Sequence, residues 1–147
     1  MRASGQPGFT FDYAAFAEGL LKGGYTAEGL AVVTEALEAS ERNRDGQLKA
    51  ELWRIKGNLL LMQDGHPGSN VQDEAERCFR QAIVIAQHQQ AKWWELRATV
   101  SLARLLANQG RRHEASTMLG EIYNWFAEGF DTAALKDAKA LLDELSA

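Results

Sequence analysis

The sequence predicts an all-α fold, an α-solenoid of three helical hairpins closed by one further helix, and three observations predict it. Apolar residues recur at three- and four-residue spacing, as in Leu48, Leu52, Ile55, Leu59 and Met62, and the strict alternation of a strand is scarce. Turn-forming residues cut the chain into seven segments of helical length. An arrangement of large and small residues then returns about every 40 residues, the period of a helical repeat array.

The predicted helices, in order, cover residues 11–22, 26–41, 46–63, 71–89, 91–109, 112–128 and 132–146. Residues 1–10, with Pro7 and Gly8, read as an extended or disordered N-terminus, and 11–147 as a single repeat domain. Thr26 ahead of Glu28, Asp45 and the pair Asp131-Thr132 supply side-chain oxygens for helix starts. Gly23-Gly24, Gly65 to Gly68, Gly110 and Gly129 separate the helices. Only residues 64–70, Asp-Gly-His-Pro-Gly-Ser-Asn, make a longer connection, expected as an exposed loop.

Aligned on their turns, the first helices carry Tyr13, Phe16, Ala17 and Leu20, then Trp53, Lys56, Gly57 and Leu60, then Thr99, Leu102, Ala103 and Leu106. The second helices carry Gly29, Val33 and Ala36, then Ala75, Phe79 and Ala82, then Ala115, Leu119 and Ile122. Small residues let paired helices approach while large ones fill the adjoining groove. The arrangement resembles the tetratricopeptide repeat (TPR), with Trp53, Gly57, Ala75, Phe79 and Ala82 matching its pattern and Gln109-Gly110 its usual turn. Lys56 stands where the repeat has leucine, the closing prolines are missing, and the second unit is lengthened by its 64–70 loop. The resemblance implies a right-handed array of three TPR-like pairs. Leu135, Ala138, Leu141, Leu142 and Leu145 then form the apolar stripe of a C-terminal capping helix.

The stretch from Glu74-Ala-Glu-Arg-Cys-Phe-Arg-Gln-Ala-Ile through Gln109-Gly110-Arg111-Arg112 to Tyr123-Asn-Trp-Phe-Ala-Glu-Gly-Phe-Asp-Thr is similar to a more particular region. It resembles the C-terminal repeats of bacterial regulators that join a cyclase or DNA-binding domain to an ATPase module. That resemblance implies the sensing or partner-binding end of a signalling protein. No Gly-x-x-x-x-Gly-Lys-Ser/Thr stretch is present, so the ATPase activity is not carried over.

Composition narrows the function. Twenty acidic against 16 basic residues give a net charge of -4, which disfavours nucleic acid. No run approaches the roughly 18 apolar residues needed to span a membrane, the N-terminus has no signal-like stretch, and Cys78 has no partner for an internal disulfide, so a cytoplasmic setting is expected. His66, His88 and His113 lack ligand spacing, so no metal or cofactor is expected. Cys78, beside Phe79, reads as a core filler. Trp53 and Trp125 read as packing residues, whereas adjacent Trp93 and Trp94 point about 100° apart, leaving room for one to be exposed.

No nucleophile–base pair emerges, which leaves binding rather than catalysis. The first helices of such pairs line a concave groove, and the polar positions expected there off the core stripe are Glu18, Lys22, Arg54, Asn58, Arg97, Arg104 and Asn108. Arg54 and Asn58 are four apart, as are Arg104 and Asn108, and each pair shares a helix face. Arg54/Asn58 also resembles half of the carboxylate clamp found in some TPR proteins. The expected partner is therefore a protein or peptide with acidic groups, held by arginine–carboxylate contacts. The alternative is a structural role, with the repeats packing against an ATPase or cyclase domain or against another copy; a solvated polar face is the plainest reading of the same residues.

Overall fold

A computed structural model describes residues 9–43, 46, 48–63, 70–126 and 133–146, the side chains of 9–13, 43 and 133 excepted. Among them are seven α-helices and no strand: α1 (Phe9–Gly23), α2 (Thr26–Asn43), α3 (Lys49–Gln63), α4 (Val71–His88), α5 (Lys92–Asn108), α6 (Arg112–Trp125) and α7 (Ala133–Ser146). The predicted segments differ at their ends: α1 begins at Phe9, inside the stretch expected to be extended, α3 begins at Lys49 and α6 ends at Trp125. The expected caps at Asp45 and Asp131-Thr132, the glycines from Gly65 to Gly68, His66, Gly129 and the side chain of Tyr13 lie outside the described residues.

Three of the turns share one device. Gly24 (φ 81°) and Gly110 (φ 83°) adopt the left-handed conformation. Their amides, and those of the residues that follow, bond back to carbonyls of the last helical turn: Gly24 to Leu21, Tyr25 to Leu20, Gly110 to Ala107 and Arg111 to Leu106. This paired pattern satisfies otherwise orphaned carbonyls, and glycine enters it without a Cβ penalty. After α4 the same pattern recurs, with Gln90 bonding to Gln87 and Ala91 to Ala86, but Gln90 itself occupies the left-handed position at φ 55°. That turn is strained by its side chain.

Each helix packs on the next, and in addition α1 touches α3, α3 touches α5 and α5 touches α7. No two even-numbered helices come as close among the described residues. The main core runs from α3 to α7, through Phe79, Ala82, Leu96, Leu102, Leu106, Ala115, Leu119, Leu135 and Ala138. A smaller one, Ala17, Val33, Ile55 and Leu59, joins α1, α2 and α3. Leu135, Ala138, Leu141 and Leu145 of α7 are buried and Leu142 packs beside them, as expected of that stripe.

Small residues set the closest approaches. A Cβ on Gly57 would stand 2.5 Å from the Phe79 ring, and one on Gly29 would stand 2.7 Å from Leu59. Phe79 is wholly buried, so its ring cannot swing away without opening a void. Cys78 is buried beside it, and burial pushes its thiol above the ordinary range, as suits a core residue.

Two packing expectations fail. Phe16 is 58% exposed, since no described element covers that face of the first helix, and Trp125 is 59% exposed at the end of α6. Trp125 stacks edge-on against Phe126, with the Lys92 ammonium 5.4 Å from its ring centre, so it decorates the core instead of filling it.

Candidate functional site

The odd-numbered helices bring together four charged side chains. Arg54 of α3 lies beside Glu51, one turn earlier, and donates through Nε to its Oε2 at 2.9 Å and through Nη2 to its Oε1 at 3.1 Å. Arg54 Nη2 also reaches Glu18 of α1 at 2.7 Å. Arg97 of α5 donates to the same two carboxylates, at 2.6 Å to Glu51 and 3.3 Å to Glu18. Two guanidiniums and two carboxylates thus balance one another across three helices.

Burial makes this arrangement demanding. Arg54 is only 6% exposed and Glu51 is equally buried, so each must be compensated by its neighbours. Burial pulls the Arg54 pKa down, but hydrogen bonds and charge from Glu51, then Glu18, outweigh it and raise the pKa above its usual value. Burial pushes the Glu18 carboxyl up, but the charge and hydrogen bond of Arg54, with Arg97 and Lys22 beyond, hold it below the ordinary range.

The expectation that Arg54 stands off the core is therefore wrong. A guanidinium at that position meets Glu51 at i−3 and Glu18 on the neighbouring helix, and ion pairing carries it inside. Glu18 and Arg97 do face the shared side of the odd helices but are spent on the same cluster. Asn58 reaches from α3 to α5, donating to Ser101 Oγ at 3.3 Å. Lys22 and Asn108 are exposed. Arg104, 54% exposed at its side chain, lies 3.9 Å from Asp137 of α7. Of the seven residues, Glu18, Arg54 and Arg97 thus belong to the internal cluster, Asn58 bridges α3 and α5, and Lys22, Arg104 and Asn108 face outward. Sequence reasoning missed Glu51, although its position three residues before Arg54 was a legible pairing signal.

Two depressions flank the cluster. One, of ≈ 290 Å³, is bounded by Ala14, Ala15, Leu48, Ile55 and Trp94, with Glu18, Glu51 and Arg97 on its polar side. The other, of ≈ 100 Å³, lies among Arg54, Arg97, Ser101, Arg104 and Asp137. Arg97 forms a wall of both. Trp93 and Trp94 are both half-buried: Trp94 lines the larger depression, whereas Trp93 packs at 81° against Phe126.

Among the described residues no group of three histidine, cysteine or acidic side chains is placed to hold a metal, and no helix is long and apolar enough to cross a membrane. His88 and His113 lie on the surface. No family model, curated protein or solved structure matches this chain.

Proposed function

We propose that this chain is a tetratricopeptide-like interaction module that binds a segment of a partner protein along the face formed by α1, α3, α5 and α7. The observation that carries the reading is the run of contacts from each odd helix to the next, with two depressions meeting at Arg97. Such a run is what the inner layer of a right-handed solenoid requires, and inner layers serve as extended binding surfaces. The Gly57–Phe79 interlock and the buried Ala75 and Ala82 support the repeat reading, because those positions carry the resemblance. A signalling role, which rests on the likeness to bacterial regulators, and a cytoplasmic setting, which rests on the lone Cys78, are part of the same proposal.

The internal pairing changes the chemistry expected of the partner. Arg54 and Arg97 are already matched by Glu51 and Glu18, so an acidic partner group meets Arg104 first, with Lys22 and Asn108 at the margins. Contacts at exposed arginines are screened and individually weak, so acidic groups steer and orient more than they hold.

Selection of random twelve-residue peptides on the immobilised protein, followed by hydrogen exchange of the complexes, tests the reading. Protection concentrated on α1, α3, α5 and α7 is expected, with acidic peptides weakened several-fold by Arg104→Ala at low salt. Protection confined to α2, α4 and α6 would place the binding face elsewhere. A structural role finds its support in exposed Phe16 and Tyr25 near the first turn. Light scattering that shows a dimer dissociated by Phe16→Ser would favour it.

A further inference from the structure

The larger depression carries a more definite assignment, which rests on the odd-helix face being the binding surface. We propose that it is an anchor pocket for one large uncharged apolar side chain of the partner segment.

Charge supplies the first argument. Both oxygens of Glu51 accept from Arg54, and its Oε1 also accepts from Arg97; both terminal nitrogens of Arg97 donate inward, to Glu51 and Glu18. A charged visitor meets two positive and two negative groups already matched to one another, so no free counter-charge repays its loss of water. An apolar visitor breaks none of these bonds and removes water from Trp94, Ala14 and Ala15. A neutral, apolar occupant is the one that complements a compensated wall.

Size supplies the second. At ≈ 290 Å³ the pocket stands at the small end of the roughly 300–1,000 Å³ usual for ligand sites and has room for one large side chain. Ala14 and Ala15 on α1 keep it open, since a larger side chain at either would enter the space.

The neighbouring depression sets a spacing. Its lining is centred about five residues further along α5 but only about one to three further along α3, an offset of roughly 5 Å at ~1.5 Å per residue. It also lies one helix further across the layer, ~9 Å away. The two depressions therefore stand on the order of 10 Å apart, a distance that extended chain at ~3.3 Å per residue spans in about three to four residues. The partner segment accordingly carries its apolar anchor about three to four residues from the acidic residue that meets Arg104.

Titrating the isotope-labelled protein with N-acetyl-leucinamide, N-acetyl-aspartamide and N-acetyl-lysinamide tests the assignment by nuclear magnetic resonance. The leucine probe should move the Ala14, Ala15 and Trp94 indole signals saturably, in the millimolar range expected for so few atoms, and the charged probes should not. Ala15→Phe, at an exposed position, should fill the pocket and abolish the shifts while circular dichroism stays unchanged. Leucine probe that leaves these signals in place, or charged probes that move them equally, would overturn the assignment. A dimer made monomeric by Ala15→Phe would overturn it too, by showing that a second copy is the occupant. Selected peptides that protect the odd helices but carry no large apolar residue would sink this inference alone, whereas peptides bound elsewhere would sink the odd-face reading with it.

Discussion

Two charge clusters of the same composition stand on opposite sides of the molecule. On the odd helices Glu18, Glu51, Arg54 and Arg97 are tied together with Arg54 and Glu51 almost wholly buried. On the even side Arg80 of α4 pairs with Glu76 at 2.8 Å and Glu114 at 2.9 Å, and Arg111, just ahead of α6, reaches the same two carboxylates at 3.0 and 2.8 Å. Both are two arginines against two glutamates, and both cross between helices. In the outer cluster the side chains of both arginines and Glu114 are 41% exposed, so water competes for their bonds far more than in the inner one. Donating hydrogen bonds to Glu76 and Glu114 raises the Arg111 pKa, and accepting them from Arg80 and Arg111 lowers that of Glu114, yet such shifts at exposed groups carry little stability. Equal geometry therefore has unequal consequence, and burial decides which cluster the fold depends on.

Removing one partner tests this most severely. Arg54→Ala leaves Glu51 buried with a single remaining arginine and should cost about 3–5 kcal/mol in urea unfolding. Arg54→Lys keeps the charge but not the fork and should cost less. A loss under ~1 kcal/mol for Arg54→Ala would erase the contrast between the two clusters.

Acid probes the same cluster without mutation. The folded-state pKa of Glu18 is lowered, so its contribution is complete above the unfolded carboxylate value of about 4.3 and is lost as pH falls through the lowered folded value. Thermal unfolding should therefore show a stability plateau above that range and a decline below it. The decline should be shallower in Glu18→Gln, and identical profiles would detach Glu18 from the cluster's energetics.

A change remote from both clusters sharpens the comparison. Gln90→Gly relieves a left-handed residue that belongs to neither network, and should stabilise by about 1 kcal/mol. Because Gln90 shares no partner with Arg54, the gain should add to the Arg54→Ala background within about 0.5 kcal/mol. A larger rescue would mean that the cluster and the α4–α5 turn are coupled.

The all-helical fold was legible because turns and apolar spacing are local signals: Gly24 and Gly110 announce their own left-handed turns, and helical periodicity marks the segments between. The small position at Gly57 was legible through the pattern of large and small residues that it shares with Ala17 and Ala103, and the Phe79 ring against it gives the reason. The fate of the arginines was not. Arg54, Arg97 and Arg104 look alike in sequence, but their difference lies in whether a carboxylate on another helix arrives beside them. Glu18 is 36 residues from Arg54 and 79 from Arg97, beyond any local pattern. Trp125 misled for a related reason: an aromatic at helical spacing is buried only if a later element covers it.

The smallest expected effect lies in the outer cluster and depends on salt. Arg80 pairs with Glu76 on its own helix and with Glu114 on α6, bridging two even helices that make no closer contact. Its side chain is 41% exposed, so holding it in place costs rotamer freedom against modest attraction. Arg80→Ala should change stability by no more than about 0.5 kcal/mol at low ionic strength. Near 1 M salt, where the screening length falls to roughly 3 Å, that difference should vanish. Arg54→Ala should keep most of its penalty under the same conditions, because ions do not enter between groups packed against α1 and α5. Equal salt sensitivity in the two variants would mean that water reaches the inner cluster as freely as the outer, and that the odd-helix face is looser than its packing implies.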